Sequence, residues 1–417
     1  MWQPLDVDSW TERRRRELKD VQEPVREIIE KVRTGGDDAL LELTERFDKF
    51  QPSSLRISEE EIEAAYEQVE PSLVKELRMA AANIERFHRM QLEAGNWTKE
   101  VEPGITLGVR LLPMKRVGAY VPGGRASYPS TALMCVVPAK VAGVEEVAVC
   151  TPPPASPLTL VALDIAAADE VYQLGGAQAV AAMALGTSTI RKVEKVVGPG
   201  NIYVTEAKLQ LRDKVEIDFP AGPSEVLVIA DDSANPKFIA ADILAQAEHD
   251  PSSSCILVTT SKELADKVGK EIEVRASISP RKGIIERSLR NAGYVMVKDA
   301  EEAAAVSDRI APEHLSIQTQ DPMATFDLIH SAGSVFLGPF TPVAAGDYAS
   351  GTNHVLPTAG YPSILSGLDV RHFCKATSVQ SLDKRGLERL SPTIEGLANA
   401  EGLVEHARSV RVRLEKD

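Results

Sequence analysis

The chain has 417 residues, of which 43% are hydrophobic, and carries a formal net charge of −14. This length is enough for two or three domains that each bury a core. The acidic balance argues against a nucleic-acid partner, because phosphate backbones bind basic surfaces. It favours a neutral or cationic small-molecule ligand.

No targeting or membrane segment is predicted. The first residues lack the charged-then-apolar pattern of a signal peptide, and no run approaches the ~18 apolar residues of a membrane span. The four cysteines form no CxxC pair, which excludes a zinc finger of that type and disfavours a disulfide framework. We therefore expect a cytoplasmic protein.

The first hundred residues have a helical pattern. A helix predicted at 21–32 ends at Gly35-Gly36, which is a C-terminal signal. Ser58 precedes three glutamates, which predicts an N-cap and an acidic first turn for a helical stretch that continues toward residue 92.

Strands and helices then alternate in two series. The first series has strands predicted at 105–112, 117–121, 146–150, 171–174 and 195–197, with helices at 130–144, 158–168 and 177–185. The second has strands at 225–230, 256–259, 294–297, 315–318 and 334–337, with helices at 236–249, 263–274 and 300–310. The tail after residue 370 is predicted to be mainly helical. This pattern predicts an α/β fold of two Rossmann-like units with parallel-rich sheets, plus helical N- and C-terminal extensions.

Glycine-rich turns follow three of these strands, at 122–124, 175–176 and 198–201. Such turns let backbone N–H groups approach a ligand, and a following helix N-terminus attracts anions. None matches a dinucleotide fingerprint or a P-loop. Tight strand-to-helix turns are the alternative interpretation, and the pattern alone favours it.

The stretch ILAQAEHD, at 243–250, contains candidate metal ligands. Gln246 and His249 are three residues apart and share a helix face with Asp242. Zinc binds imidazole nitrogen and carboxylate oxygen, so Asp347 could add a ligand, with His354 or His406 as a fourth. A helix-end histidine that contacts only solvent is the alternative for His249.

Glu313 and His314 lie at a predicted helix-to-strand junction. A carboxylate and an imidazole there can supply a general base and a group that activates water. The alternative is an ordinary surface turn.

Several long motifs resemble histidinol dehydrogenases, in the expected order over nearly the whole chain. They are RVGAYVPGG at 116–124, GGAQAVAAMALGT at 175–187, VGPGN at 197–201, AGPSEVLVIAD at 221–231, AADILAQAEHD at 240–250, APEHLSIQT at 311–319, GPFTPVAAGDYASGTNHVLPT at 338–358 and EGLVEHARSVRVR at 401–413.

The resemblance implies an enzyme that uses zinc, one ion per subunit, and NAD. It would oxidise L-histidinol to L-histidine through L-histidinaldehyde in two hydride transfers, as the last step of histidine biosynthesis. It also implies a homodimer with shared active sites, in which Glu401 and His406 serve the other subunit.

The same resemblance implies roles for individual residues. Glu313 and His314 would be catalytic, and both would also contact the substrate. The remaining implied positions are zinc ligands Gln246, His249, Asp347 and His406, which also line the substrate site; substrate contacts Ser224, His354 and Glu401; and cofactor contacts Tyr120, Gln178 and Asn201.

The predicted organisation assigns a role to each segment. Residues 1–20 form a helical extension, and 21–119 with 225–369 form a discontinuous first α/β domain that holds most zinc-site residues. Residues 120–224 form the second α/β domain, on the NAD side. Residues 370–417 form a helical segment that reaches the partner subunit.

Two alternatives to histidinol oxidation are considered. One is a related zinc and NAD enzyme that acts on another polar alcohol, such as a sulfonated diol. The other is a two-domain ligand-binding protein without catalysis, which would need neither the Glu313-His314 pair nor the metal set.

Overall fold

The computed structural model describes residues 2–14, 21–123 and 127–415. Its helices are α1 (Val7–Arg14), α2 (Gln22–Asp48), α3 (Glu59–Tyr66), α4 (Pro71–Gly95), α5 (Pro129–Ala142), α6 (Pro157–Ile165), α7 (Gly176–Leu185), α8 (Ile202–Gln210), α9 (Pro236–Ala247), α10 (Lys262–Ile278), α11 (Lys282–Ser288), α12 (Ala300–Ile310), α13 (Pro322–Phe326), α14 (Val343–Tyr348), α15 (Lys384–Ala400) and α16 (Val404–Leu414). Its strands are β1 (Trp97–Glu102), β2 (Ile105–Pro113), β3 (Arg116–Tyr120), β4 (Glu146–Thr151), β5 (Glu170–Gln173), β6 (Lys195–Val197), β7 (Glu216–Ile217), β8 (Glu225–Ala230), β9 (Ser254–Thr259), β10 (Gly293–Met296), β11 (His314–Gln318), β12 (Ser334–Leu337) and β13 (Cys374–Leu382).

Two five-stranded parallel sheets form the body of the protein. The first has the order β10-β9-β8-β11-β12 and the second the order β5-β4-β3-β6-β7. Strands β8 and β9 are buried at every position, as expected where helices cover both faces of a parallel sheet. The predicted α/β class with two parallel-rich units is confirmed.

The N-terminal helices α2, α3 and α4 pack on the second unit, mainly against the helices α5 to α8 that cover its sheet. Leu40 and Leu43 of α2 join the core around Tyr172, while Ile84 of α4 joins the core around Val117. The sequence pattern predicts a different arrangement, in which residues 21–119 share a domain with residues 225–369. Sequence order does not show which unit an amphipathic helix packs on, and here the apolar faces of these helices pack on the second unit. Of the N-terminal helices that the structure describes, α1 alone packs on the first unit, through Trp10.

Local sequence signals account for the boundaries of these helices. Gly36 interrupts α2 with φ +52°, a left-handed conformation that favours glycine, so the predicted stop is a break and helical structure resumes beyond it. Ser58 caps α3 through a reciprocal capping box with Glu61. Proline begins α4 at Pro71 and separates it from α3, so the predicted stretch to residue 92 is two helices.

A third sheet is antiparallel, with the order β1-β2-β13. The tail after residue 370 is mainly helical, as predicted, through α15 and α16, but it also contains the strand β13, which was not predicted. Almost every residue of β13 is exposed, so the strand lacks the apolar alternation by which strands are recognised. Among the described helices, none is long and apolar enough to span a bilayer.

A buried ion pair fixes the turn between β6 and α8. Lys208 and Asp218 pair with almost no solvent exposure. Asp218 accepts a hydrogen bond from the N–H of Gly198 (2.8 Å), and Lys208 donates one to the carbonyl oxygen of Gly198 (3.0 Å). Gly198 has φ +109°, and a Cβ there would collide with the carbonyl oxygen of Tyr120. The N–H of Gly198 is therefore held by a carboxylate, and its carbonyl oxygen is held by an ammonium group.

Replacement of Lys208 by methionine should destabilise the protein by about 3–5 kcal/mol, because Asp218 would remain buried without its counter-charge. The measurement is the free energy of unfolding in urea. Lys214→Met is the matched control, because Lys214 pairs with Asp213 in solvent and its loss should leave the unfolding midpoint nearly unchanged. Equal effects of the two substitutions would contradict the role of the buried pair.

Candidate active site

Glu313 and His314 lie at the amino end of β11, beside β8. The N–H of Glu225 donates to Oε2 of Glu313 (2.8 Å), and the carbonyl oxygen of the same residue lies 3.0 Å from Nδ1 of His314. A carbonyl oxygen only accepts hydrogen bonds, so Nδ1 carries the proton and Nε2 keeps its lone pair. Both side chains are buried, so the surface-turn interpretation is wrong.

Helix α9 brings Gln246 and His249 to the same edge of the sheet. The helix follows β8 and runs back across the sheet, so its end reaches the amino ends of the strands. The helix ends at Ala247, and His249 lies in the turn just beyond, where its N–H bonds to the carbonyl oxygen of Gln246 (3.3 Å). Asp242, predicted to share their face, is buried under the helix and bonds to Gln318.

Helix α14 contributes Asp347 and leads to His354. Oδ1 of Asp347 lies 3.7 Å from Nε2 of His314. The ring of His354 donates from Nδ1 to the backbone oxygen of Asp347 (2.8 Å). Its Nε2 therefore accepts from the hydroxyl of Thr131 (3.2 Å), which lies in the first turn of α5. His354 thus joins this cluster to the second α/β unit.

Burial controls the charges in this cluster. Desolvation lowers the pKa of His314 to about 3 and that of His354 to about 4, and it also lowers the pKa of His249. The histidines are close enough to lower one another's pKa further. Desolvation raises the pKa of Asp347 to about 7. At neutral pH the imidazoles are therefore uncharged, which is the form that binds metals and accepts protons.

The donor set fits a zinc ion in part within one chain. Nε2 of Gln246 and Nε2 of His314 are both buried without a hydrogen-bond partner. Gln246, neutral His249 and Asp347 supply amide oxygen, imidazole nitrogen and carboxylate oxygen, which are ligands that zinc accepts. A bound polar group would supply the hydrogen-bond partner that each of these two buried atoms lacks.

His406 does not join this set within the chain. It lies on α16 and is exposed, as is Glu401 at the end of α15. Over the described ranges, no group of three or more His, Cys, Asp or Glu side chains could hold a metal. Since His249, Asp347 and His406 would form such a group if they met, one subunit alone does not complete the predicted ligand set.

The three predicted cofactor residues lie at the carboxyl edge of the second sheet. Tyr120 ends β3 and accepts a hydrogen bond from the N–H of Gly176 (3.1 Å), while burial raises its pKa to about 12. Gln178 is buried in the first turn of α7. Asn201 caps α8, accepting from two backbone N–H groups. Gly124, from the predicted turn at 122–124, lies outside the described residues.

The remaining predicted residue, Ser224, precedes β8 and is half-buried. Its carbonyl oxygen accepts from the N–H of Ser254 (3.1 Å), which fixes the start of the strand. Its place next to Glu225 brings it to the same sheet edge as Glu313.

Two residues at the site were not recognised from sequence. Glu225 holds both members of the Glu313–His314 pair by its backbone, and Thr131 bonds His354. Glu225 does carry a signal, because it is a buried acid that opens the otherwise apolar strand EVLVIA. Thr131 carries none, because its partner lies 223 positions along the chain.

Comparison with known proteins gives a consistent result. A family model described as histidinol dehydrogenase matches residues 11–414. The histidinol dehydrogenase of Methanosarcina barkeri is 52% identical over 400 residues, covering 95% of this chain and 92% of that protein. That of Methanothermobacter thermautotrophicus is 52% identical over 413 residues, covering 98% and 97%.

A solved structure agrees with these sequence matches. The crystal structure of histidinol dehydrogenase from Elizabethkingia anophelis superposes with a TM-score of 0.93 at 40% identity. The match covers 99% of this chain and 97% of that chain.

Acid should destabilise the metal-free protein through His314. Between its ordinary pKa of 6.5 and the folded value of about 3, the unfolded chain binds a proton that the folded chain does not. This contribution is fully present above pH 6.5, and it should be lost on acidification at roughly 1 kcal/mol per pH unit. Urea unfolding at successive pH values, with a chelator present, should show a shallower slope for His314→Asn. Parallel slopes for variant and wild type would contradict this account of burial.

Proposed function

Because this chain belongs to the histidinol dehydrogenase family of NAD-dependent oxidoreductases, we propose that it oxidises L-histidinol to L-histidine through L-histidinaldehyde. The reaction would consume two NAD and complete histidine biosynthesis. The observation that carries the proposal is the buried Glu313–His314 pair beside Gln246, His249 and Asp347. An acid–base pair next to candidate metal ligands suits oxidation of an amino alcohol.

We propose that each subunit binds one zinc ion through Gln246, His249, Asp347 and the partner subunit's His406. When bound, zinc would orient the imidazole and amine nitrogens of the substrate and place its alcohol carbon toward the nicotinamide. The burial of the Gln246 side chain and the neutral state of His249 support this assignment.

His314 is suited to take the alcohol proton in the first step. Its Nδ1 proton is held by the carbonyl oxygen of Glu225, so Nε2 is the atom that accepts. The low pKa keeps this nitrogen unprotonated at neutral pH. The same nitrogen can accept a second proton when the hydrated aldehyde loses its hydride.

Glu313 is suited to activate the water that hydrates the aldehyde. Its carboxylate is buried and oriented by the N–H of Glu225, next to the His314 ring (Nδ1 to Oε2, 3.6 Å). Burial of both groups shields the reactive aldehyde from bulk solvent, which explains why one site would run both steps.

A thiol mechanism is the main chemical alternative for the aldehyde step. Burial raises the pKa of Cys150 to about 12 and also raises the pKa of Cys135 and Cys255. Cys374, only half-buried, also has a raised pKa. Thiols in such surroundings are poor nucleophiles, which supports hydration by Glu313.

Ser224 and His354, together with Glu401 of the partner subunit, are proposed to contact the substrate. Tyr120, Gln178 and Asn201 are proposed to contact NAD at the carboxyl edge of the second sheet. The hydrogen bond between His354 and Thr131 supports this arrangement, because it joins the catalytic cluster to the helix that follows β3.

We further propose a cytoplasmic homodimer in which residues 370–417 reach the partner's active site. The exposure of Glu401 and His406, away from the ligand set of their own chain, supports this proposal. Residues 225–369 would hold most zinc-site residues, and 120–224 the NAD side. The comparisons do not favour a sulfonated diol as substrate or a non-catalytic binding protein.

Formation of NADH from NAD and L-histidinol tests the proposed activity. We expect two NADH per histidine produced, and loss of the reaction when a strong chelator removes the metal. His249→Ala should be inactive and should copurify without zinc. Activity on a sulfonated diol but not on histidinol would favour the alternative substrate, and no NADH with either alcohol would refute the proposal.

Glu313→Gln should slow oxidation of the aldehyde about a hundredfold or more, and oxidation of the alcohol much less. Glutamine can still accept the N–H of Glu225, so the fold should be retained. Rates measured separately from histidinol and from histidinaldehyde would separate the two steps. Equal slowing of both would contradict the assignment of Glu313 to water activation.

A mixture of two inactive variants, His249→Ala and His406→Ala, should regain activity after subunits are exchanged. Half of the dimers would be mixed, each with one intact site, giving about a quarter of the wild-type rate. The matched control pairs His249→Ala with Asp347→Ala, which would damage the same set of ligands and should restore nothing. Failure of the first mixture to exceed this control would argue against shared sites.

A further inference from the structure

A row of polar side chains lies inside the first unit, beneath the proposed site. His314, Ser316 and Gln318 alternate along β11 and therefore point to one face of the sheet. All three are buried. A buried polar row costs free energy unless its groups are hydrogen-bonded, so its contacts identify what it holds in place.

Asp242 is the centre of these contacts. Nε2 of Gln318 donates to Oδ2 of Asp242 (3.1 Å) and to Oγ of Ser316 (3.2 Å). The backbone N–H of Val343, whose side chain packs in the same apolar core as Ile243 of α9, is also directed at this carboxylate. Asp242 is itself buried on α9, so one carboxylate joins α9, β11 and α14. We call these contacts the Asp242 bridge.

The bridge lies one helical turn from two of the three zinc ligands proposed for this chain. Gln246 follows Asp242 by four residues on α9, and Asp347 follows Val343 by four residues on α14. One turn of helix advances about 5.4 Å, so the bridge is close enough to fix the positions of these two ligands. The two ligands lie on separate helices, and these three-way contacts fix one helix relative to the other.

We infer that Asp242 is a positioning residue for the proposed metal site. By holding the first turn of α14 against α9 across β11, it sets the separation of Gln246 and Asp347. This inference rests on the proposed function, because it concerns ligands of the zinc ion proposed there. A residue that only stabilised the fold would affect stability without changing zinc affinity in the folded protein.

Three substitutions separate these roles. Asp242→Leu removes the bridge while filling a similar volume. Asp242→Asn retains an oxygen for the N–H of Val343, and its new NH2 can donate to Gln318, whose Oε1 is buried without a partner. Val343→Pro removes the N–H that Asp242 accepts and keeps a three-carbon apolar side chain at this buried position. Proline suits this first helical position, because the preceding Pro342 already has φ −67° and ψ 152°.

Asp308→Leu is the matched control. Asp308 lies on α12 of the same unit and accepts hydrogen bonds from the backbone N–H groups of His330 and Ser331 (both 2.8 Å). Its loss should lower stability without touching α9 or α14.

The measurement is the zinc dissociation constant of each purified, folded protein, obtained by competition with a coloured chelator, together with its melting temperature. We expect Asp242→Leu and Val343→Pro to weaken zinc binding about tenfold or more. Asp242→Asn should stay close to wild type, and Asp308→Leu should lose melting temperature only.

Wild-type zinc affinity in folded Asp242→Leu or Val343→Pro would overturn the inference while leaving the proposed function intact. If Asp242→Leu does not fold, Val343→Pro decides the question. A wild-type protein that retains no zinc would overturn the proposed function, and the inference with it.

Discussion

The backbone of Glu225 is the constraint on which the proposed chemistry depends. One peptide N–H orients the carboxylate of Glu313, and the carbonyl oxygen of the same residue fixes the proton of His314 on Nδ1. Glu225 begins a fully buried strand that is paired on both sides. The sheet therefore fixes the positions of the N–H and carbonyl groups that make these two hydrogen bonds. The acid–base pair is therefore pre-oriented before any ligand binds, which is what catalysis by fixed groups requires.

The proposed cofactor residues and the proposed catalytic residues lie at opposite edges of their two sheets. The glycine-rich turns at Gly176 and Gly198 lie at the carboxyl edge of the second sheet, the usual ligand edge of open α/β sheets. In the first unit the proposed catalytic residues lie at the amino edge, because β11 begins with His314 and α9 returns to that edge. The contact between His354 and Thr131 connects these two edges. Such an arrangement would place a dinucleotide on one sheet within reach of a substrate on the other.

Much of the fold could be predicted because its strands are buried and apolar. The strands Lys195–Val197, Glu225–Ala230 and Ser334–Leu337 were predicted to the residue, since short apolar runs bounded by turns are strong signals. Strand β13 was missed because it is polar and exposed on nearly its full length. The packing of α2 to α4 on the second unit was missed because periodicity shows that a helix has an apolar face, and not what covers it.

Candidate site residues were predictable mainly where their motif is specific, and their surroundings were not. The resemblance named Gln246, His249, Asp347 and His354, but nothing local in the sequence indicates that His354 bonds Thr131 or that Asp242 joins α9 to α14. These contacts join residues that are far apart in the chain, so only the folded structure reveals them. His406 is proposed to complete the set from the partner chain, and a contact between two chains has no local signal in the sequence.

The most direct test of the central claim is a crystal structure of the zinc-loaded dimer, with the metal located by its anomalous scattering. We predict one ion per subunit, about 2.0–2.2 Å from Gln246, His249 and Asp347 of one chain and from the partner subunit's His406. A zinc ion bound elsewhere, or a dimer that holds the partner's His406 too far away to share the ion, would contradict it.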